Sequence, residues 1–319
     1  MTLALLGLHL AVTGVLLPRR LAGSARLQAR PAAGAALWLA LMASFLVALL
    51  LAAHHAVEPF AHEPAGLVGL FPHQEPPGPV APHTHGWWLL AAAGAAIATV
   101  VAAVGLRAGR ARRRHRAMLD LVAVRDGRWG ALILEHAHPT VYCLPGRSSR
   151  VVLSRGALRL LDERQLAAAV AHEHGHIRGR HHLFRLPADT FALLFGPLPL
   201  ARRGRAEVGL LLEMAADDAA LARVSRSELA SALCALATSG APAGAAHGTV
   251  PGTAYGIAPG GPPGPASGGA LAVAATGVLA RVRRLARPGH GRRRRRLASW
   301  TVVSALPLLP YLLACAPHP

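Results

Sequence analysis

From Ala32 to Val57 the chain runs 26 residues without an acidic or basic side chain other than histidine. A bilayer core about 30 Å thick needs roughly 20 apolar residues in a helix to cross it. Within hydrocarbon only a helix or a closed barrel satisfies the backbone, so a run this long constrains its fold to helix. Trp87 to Leu106 and Trp300 to Cys315 read as further spans, the latter interrupted by Pro307 and Pro310, and Met1 to Leu17 as one of marginal length. A secretory signal would carry its basic residues before the apolar stretch, whereas Arg19, Arg20, Arg26 and Arg30 follow it. The first segment is therefore expected to be a retained span.

Charge then supplies orientation. The chain has 34 basic and 15 acidic residues, a net charge of +19, and 53 % hydrophobic content. A soluble domain or a disordered nucleic-acid arm rarely combines these values. Every basic residue is arginine, and with the Ala, Gly and Pro excess this looks like GC-rich coding bias, so position carries more meaning than number. Four arginines lie between the first two spans, none between His54 and Gly86, and the other 30 between Arg107 and Arg296. Short Arg-rich loops stay cytoplasmic, which predicts a multi-pass cell-membrane protein with both termini outside and the segment between spans three and four inside. The tract RAGRARRRHR and the run Arg292 to Arg296 read as anchors on anionic lipid. Without aromatic residues among the arginines, direct nucleic-acid binding is not expected. The lipid bilayer is the first partner.

The expected architecture is mainly α, integral to the membrane, with about four spans (1–17, 32–57, 87–106, 300–315) and a small α+β cytoplasmic domain of the zincin type over 116–238. A Gly/Pro/Ala-rich linker should fill 239–269. An amphipathic helix over 270–287, with Val278, Val282 and Leu285 on one stripe and Arg281 at its border, is expected near the inner membrane surface. Leu183 to Leu200 is too interrupted for a span and suits a membrane-surface or re-entrant segment, or a hydrophobic wall of the cleft. The outer loop, 58–86, carries His62, His73, His83 and His85 with Glu58, Glu63 and Glu75; a flexible Pro-rich loop and a metal or proton sensor both fit. Cys143, Cys234 and Cys315 form neither a disulfide framework nor a CxxC pair.

The chemistry sits in LLDERQLAAAVAHEHGHIRGRHH. Asp162 is placed as an N-cap with Gln165 as its box partner, and Leu161 and Leu166 as a hydrophobic staple. In the helix that follows, His172 and His176 lie four apart, so both imidazoles can bind one metal ion, with Glu173 beside them. A zinc ion there would acidify a water whose proton Glu173 takes. His174 points elsewhere. Two residues could complete the ligand set. Glu213, in LLEMAADDAA, offers a carboxylate on a second apolar helix, with Asp217 four residues on to orient a ligand histidine. His182 is the alternative, because HEHGHIRGRHH formally fits HExxHxxGxxH. Glu213 is preferred, since no Met-turn accompanies the longer pattern.

The stretch YCLPGRSSRVVLSRGALRLLDERQLAAAVAHEHGHIRGRHH, followed by EMAAD, resembles the BlaR/MecR-type integral-membrane zinc peptidases, the antirepressor family, over Tyr142 to Ala220. The heat-shock HtpX and prenyl-protein CAAX peptidases are more distant relatives. The resemblance implies one catalytic Zn²⁺ held by His172, His176 and Glu213, Glu173 as general base, and Asp217 supporting the site. It also implies that Arg150 to Ser154 is a strand bordering the cleft, to which an extended substrate could add. Relatives often carry an acidic residue shortly after the second ligand histidine, where this chain has His181 and His182. The antibiotic-sensing members continue into an extracellular penicillin-binding domain, and this sequence ends four residues past Cys315 without one. The expected activity is a zinc endopeptidase acting on a cytoplasmic or membrane-proximal protein, with a BlaI/MecI-type repressor implied by the resemblance. An HtpX-like quality-control protease and a non-catalytic zinc-containing scaffold or receptor are the alternatives.

Overall fold

The computed structural model describes residues 1–61, 84–146, 148–239, 268–287 and 303–315. The outer-loop expectation falls mostly, and the linker expectation almost wholly, outside these residues. Among the described residues three helices are long and apolar enough to cross a membrane: Thr2–Leu21, Pro31–Ala56 and Ala91–Val122. The first is α1 (Thr2–Ala11), a π-helical turn over Val12–Leu16, and α2 (Leu17–Leu21). After the short α3 (Ala25–Gln28), the second forms the inner part of α4 (Pro31–Ala61), and the third belongs to α5 (Thr84–Val122). Of the fourth expected span, 300–315, the described residues cover 303–315. Val303–Ala314 is a shorter apolar helix, its course passing through a 3-10 turn at Leu306–Leu308 before α12 (Leu309–Cys315). Pro307 and Pro310 lack the N–H that a regular helix would use there.

α5 does not stop at Leu106. It continues through the arginine tract to Val122 and fastens onto a four-stranded sheet. Leu119 packs with Leu132, Leu144 and Val152 on one sheet face. His115 lies 2.8 Å from the Tyr142 hydroxyl, and Arg116 donates to the carbonyl of Pro145. The strands are β1 (Ala123–Asp126), β2 (Ala131–Leu134), β3 (Val141–Leu144) and β4 (Arg150–Ser154), in the order β1-β2-β4-β3. β4 pairs parallel with β2 and antiparallel with β3. Arg150–Ser154 is thus a strand as expected, but an interior one, and the edge expectation is corrected: the free edge beside the cleft is β3.

The other sheet face is covered by α6 (Arg155–Leu160) and α7 (Glu163–Arg178), with Ile133, Val141, Val151 and Leu153 packed against Leu161, Leu166, Ala169 and Val170. At the start of α7, Gln165 N–H donates to Asp162 (2.8 Å) and Asp162 N–H to the Gln165 side chain (3.0 Å), closing the capping box. α8 (His181–Leu194) and α9 (Pro199–Ala220) then form a helical hairpin. Its tip packs on α4: Phe191 and Phe195 meet Phe45 edge-on at 5.9 and 5.7 Å between ring centroids. Phe45 lies fourteen residues into α4, or roughly 21 Å along it at 1.5 Å per residue. Trp38, Leu41 and Met42 of α4 share this core with Leu200, Val208, Leu211 and Met214 of α9. Leu183–Leu200 therefore runs along the apolar helices toward their midpoint and back.

α10 (Arg226–Thr238) and α11 (Gly268–Ala286) close the far side of α7 and α9, with Leu229, Ala232 and Leu285 packed on Ala168, Ala171 and Ala220. α11 falls on the stretch expected to form an amphipathic helix. Leu285 faces protein, and Arg281, read as a border residue, is only 7 % exposed.

Candidate metal centre

α7 and α9 cross where neither has bulk. A Cβ on Gly175 would lie 2.9 Å from the Ala216 carbonyl oxygen and 3.1 Å from its Cα. Contact this close lets the α9 side chains flanking Ala216, Glu213 and Asp217, reach the α7 histidines. His172 Nε2 lies 3.1 Å from His176 Nε2 and 3.4 Å from Glu213 Oε2, and His176 Nε2 lies 3.7 Å from Glu213 Oε1. Ligand atoms about 2.1 Å from a tetrahedral zinc ion would stand roughly 3.4 Å apart. The spacing and the two-imidazole, one-carboxylate donor set therefore fit the ion. Among the described residues these three form the group able to hold a metal, their ligand atoms all within 4.8 Å of one another. His182 is not in it.

Each of the two imidazoles turns its Nε2 toward the cluster and finds a partner for Nδ1. His172 Nδ1 is 3.0 Å from Asp217 Oδ1, and His176 Nδ1 is 2.8 Å from His181 Nδ1. A partner on Nδ1 selects the tautomer with a free Nε2 lone pair, as a metal ligand requires. His174 bonds the Val170 carbonyl instead, at 2.9 Å.

Sequence reading missed the part played by Arg281. Its Nε and Nη2 donate to Asp217 at 2.9 and 2.6 Å, and Nη1 lies 3.1 Å from Glu213 Oε2. Nη2 is also 3.5 Å from both ring nitrogens of His172, a contact with the ring rather than a bond to either atom. Neighbouring bonds hold α11 in register: Arg284 makes two 2.9 Å contacts with Asp218 and donates to the Gln28 carbonyl. The acidic sequence ExxxDD of α9 was the available signal that cations must come from elsewhere.

These charges shift one another. Burial opposes the charge on Asp217, but Arg281 and then His172 outweigh it and hold its pKa at about 2. Burial likewise disfavours protonated His172, yet Asp217 and Glu213 outweigh it and raise its pKa to about 9. Burial pushes Glu173 above the usual carboxylate range, against the pull of the two neighbouring histidines. Glu173 is 2 % exposed, and its Oε2 is buried with no hydrogen-bond partner. An orphaned carboxylate oxygen next to three converging metal ligands is what a water donor at the metal would satisfy. On β3 the Cys143 thiol is buried beside Glu173, and burial first and then this carboxylate push its pKa up, so this cysteine belongs to the site although its spacing carried no signal.

Residues 106–243 match the family model of peptidase family M48. The matched stretch runs from the inner part of α5 past the end of α10, taking in α7 and α9 but not α11. That likeness supports a metallopeptidase function, and the cluster of His172, His176 and Glu213 is compatible with it. Comparison with curated proteins and comparison with solved structures each found no significant match.

Proposed function

We propose, from the likeness of residues 106–243 to peptidase family M48, that the chain is a membrane-bound zinc endopeptidase whose active site faces the cytoplasm. The observation that carries this reading is the convergence of His172, His176 and Glu213 beside the buried, unpartnered Oε2 of Glu173. When bound, zinc would polarise the scissile carbonyl and acidify an adjacent water. Glu173 takes the proton of the attacking water on its free oxygen and delivers it to the departing amine, and its raised pKa suits both transfers. Asp217 and Arg281 keep His172 and Glu213 oriented. The free edge of β3, carrying Cys143 against Glu173, is where an extended substrate backbone would add as a further strand.

Membrane placement rests on the three apolar helices and on the α8–α9 hairpin, whose tip lies beside the middle of α4. Leu183, Phe184, Leu193 and Leu194 of α8 are exposed, as lipid contact would require. The arginine distribution supports a cytoplasmic site. By the antirepressor resemblance, the first substrate to test is a cytoplasmic transcriptional repressor, and membrane-proximal proteins are the second. Glu173→Gln should retain zinc and lower turnover by about 10²–10⁴-fold. The check is to compare protein cut sites in cells making wild type or the variant; identical cut-site sets would end the peptidase reading.

A further inference from the structure

The second histidine ligand has a support that the mechanism above does not use. α7 ends at Gly179, and Arg180 takes a left-handed conformation, φ 48° and ψ 39°, the one non-glycine residue with positive φ among those described. Such a conformation is uncommon outside glycine and costs about 1 kcal/mol or more, so surrounding structure must hold it. Its effect is to reverse the chain within two residues and start α8 with His181 folded back over the end of α7. Gly179 makes room for this: a Cβ there would overlap the His181 ring. The imidazoles of His176 and His181 meet nearly perpendicular, at 88° with centroids 4.8 Å apart, and their Nδ1 atoms are 2.8 Å apart.

We propose that His181 is a positioning residue for the metal centre: its Nδ1 accepts the Nδ1–H of His176 and fixes that ring with Nε2 turned to the metal. The proposal rests on the metallopeptidase reading and deepens it. One of the two facing nitrogens must carry the proton. A His176 that gives its Nε2 lone pair to zinc keeps its proton on Nδ1, so His181 must be the acceptor, with its own proton on Nε2. The tight turn is then the device that brings a neutral acceptor to the Nδ1 of His176. It also gives the HEHGHIRGRHH pattern a different sense, in which the histidine following GR supports a ligand.

Geometry makes the test sharp, because an asparagine Oδ1 occupies nearly the position of a histidine Nδ1, whereas glutamine places its amide near Nε2. Full-length protein in detergent, stripped and reloaded, would be titrated with zinc against a chelator of known affinity, and with cobalt by visible absorption. His181→Ala and His181→Gln should bind zinc about 10–100-fold more weakly, the usual cost of losing a partner of a ligating histidine. His181→Asn should stay within about threefold of wild type and keep the wild-type cobalt spectrum. Gly179→Ala, which displaces the ring chemically intact, should weaken zinc in the same direction. The thermal midpoint of the metal-free protein should be alike in the Asn and Gln variants, which separates positioning from folding. Unchanged affinity in all three His181 variants, or an equal loss in all three, would overturn the proposal. A wild-type chain that binds no zinc would sink the metallopeptidase reading instead, and this inference with it.

Discussion

The two histidines of the centre are held by opposite means. His172 leans on a carboxylate, Asp217, which is itself clamped by Arg281. His176 leans on a neutral ring, His181, five residues away across one turn. Burial, with His176 next in effect, drops the His181 pKa to about 4, so it faces its partner uncharged. The His172 support joins three helices, since Arg281 lies 64 residues beyond Asp217. One ligand is therefore set by a local turn, and the other only when α9 and α11 are both docked on α7. The charged side is where most of the centre's energetic risk lies, because a buried ion pair is costly to break by halves.

The largest effect should follow removal of the cation. Arg281→Met leaves Asp217 and Glu213 buried near one another without their counter-charge, and should destabilise the metal-free protein by about 3–5 kcal/mol. Denaturant unfolding in chelator measures this, and a loss under about 1 kcal/mol would show that the His172 side does not depend on α11. A pH signature accompanies it. The folded pKa of Asp217, about 2, is depressed below the ordinary aspartate value of 3.8. Its stabilisation is thus complete above that value and lost as pH falls toward 2. Arg281→Met should remove this acid limb.

Next in size is the helix crossing that serves both sides. Gly175→Val drives a side chain into the Ala216 backbone, which should cost about 1–3 kcal/mol and separate Glu213 from both histidines. Zinc should be lost more severely than stability. If calorimetry found zinc binding intact in a folded Gly175→Val protein, close approach of α7 and α9 would not be what builds the centre. Asp217→Asn should then weaken zinc by about 10–100-fold, because the amide can still meet Nδ1 only by presenting its oxygen and forfeits the attraction to Arg281. The contrast with His181→Asn is the informative one. An amide is a loss where a carboxylate stood and nearly a replacement where an imidazole stood, and equal zinc affinities in the two variants would erase the difference between the supports.

How much of this could be read beforehand follows the same division. The convergence of His172 and His176 was legible because helical spacing alone puts positions four apart on one face, and Asp162 and Gln165 announced the helix start. Glu213 and Asp217 were legible as a pair for the same reason. Arg281 was not, since one arginine among 34 carries no mark and its partners sit across the 240–267 stretch. Helical periodicity could place it at the border of a stripe but not say what the stripe would face. Strand order was also hidden, although Val151, Val152 and Leu153 form the continuous apolar run of a strand covered on both faces. That signal argued for an interior β4 and left the edge to β3. The depth of the α8–α9 hairpin was half legible: Arg185, Asp189 and the prolines excluded a full span, and only packing on Phe45 shows how far the segment reaches.

The smallest expected effect concerns His182, the one histidine whose sequence pattern competes with Glu213. It follows His181 in the first turn of α8, and its Nδ1 is buried without a partner and outside the converging ligand atoms. Burial first, then Arg112, Arg180 and Arg116, depresses its pKa, which marks a basic corner rather than a place at the metal. His182→Ala should accordingly leave zinc stoichiometry at one and affinity within about threefold, and move stability by no more than about 0.5 kcal/mol. Glu213→Ala should abolish tight zinc binding under the same conditions. The reverse pattern, metal lost with His182 and kept without Glu213, would hand the third position to the HExxHxxGxxH reading. It would leave Arg281 pairing with a carboxylate that takes no part in the metal centre.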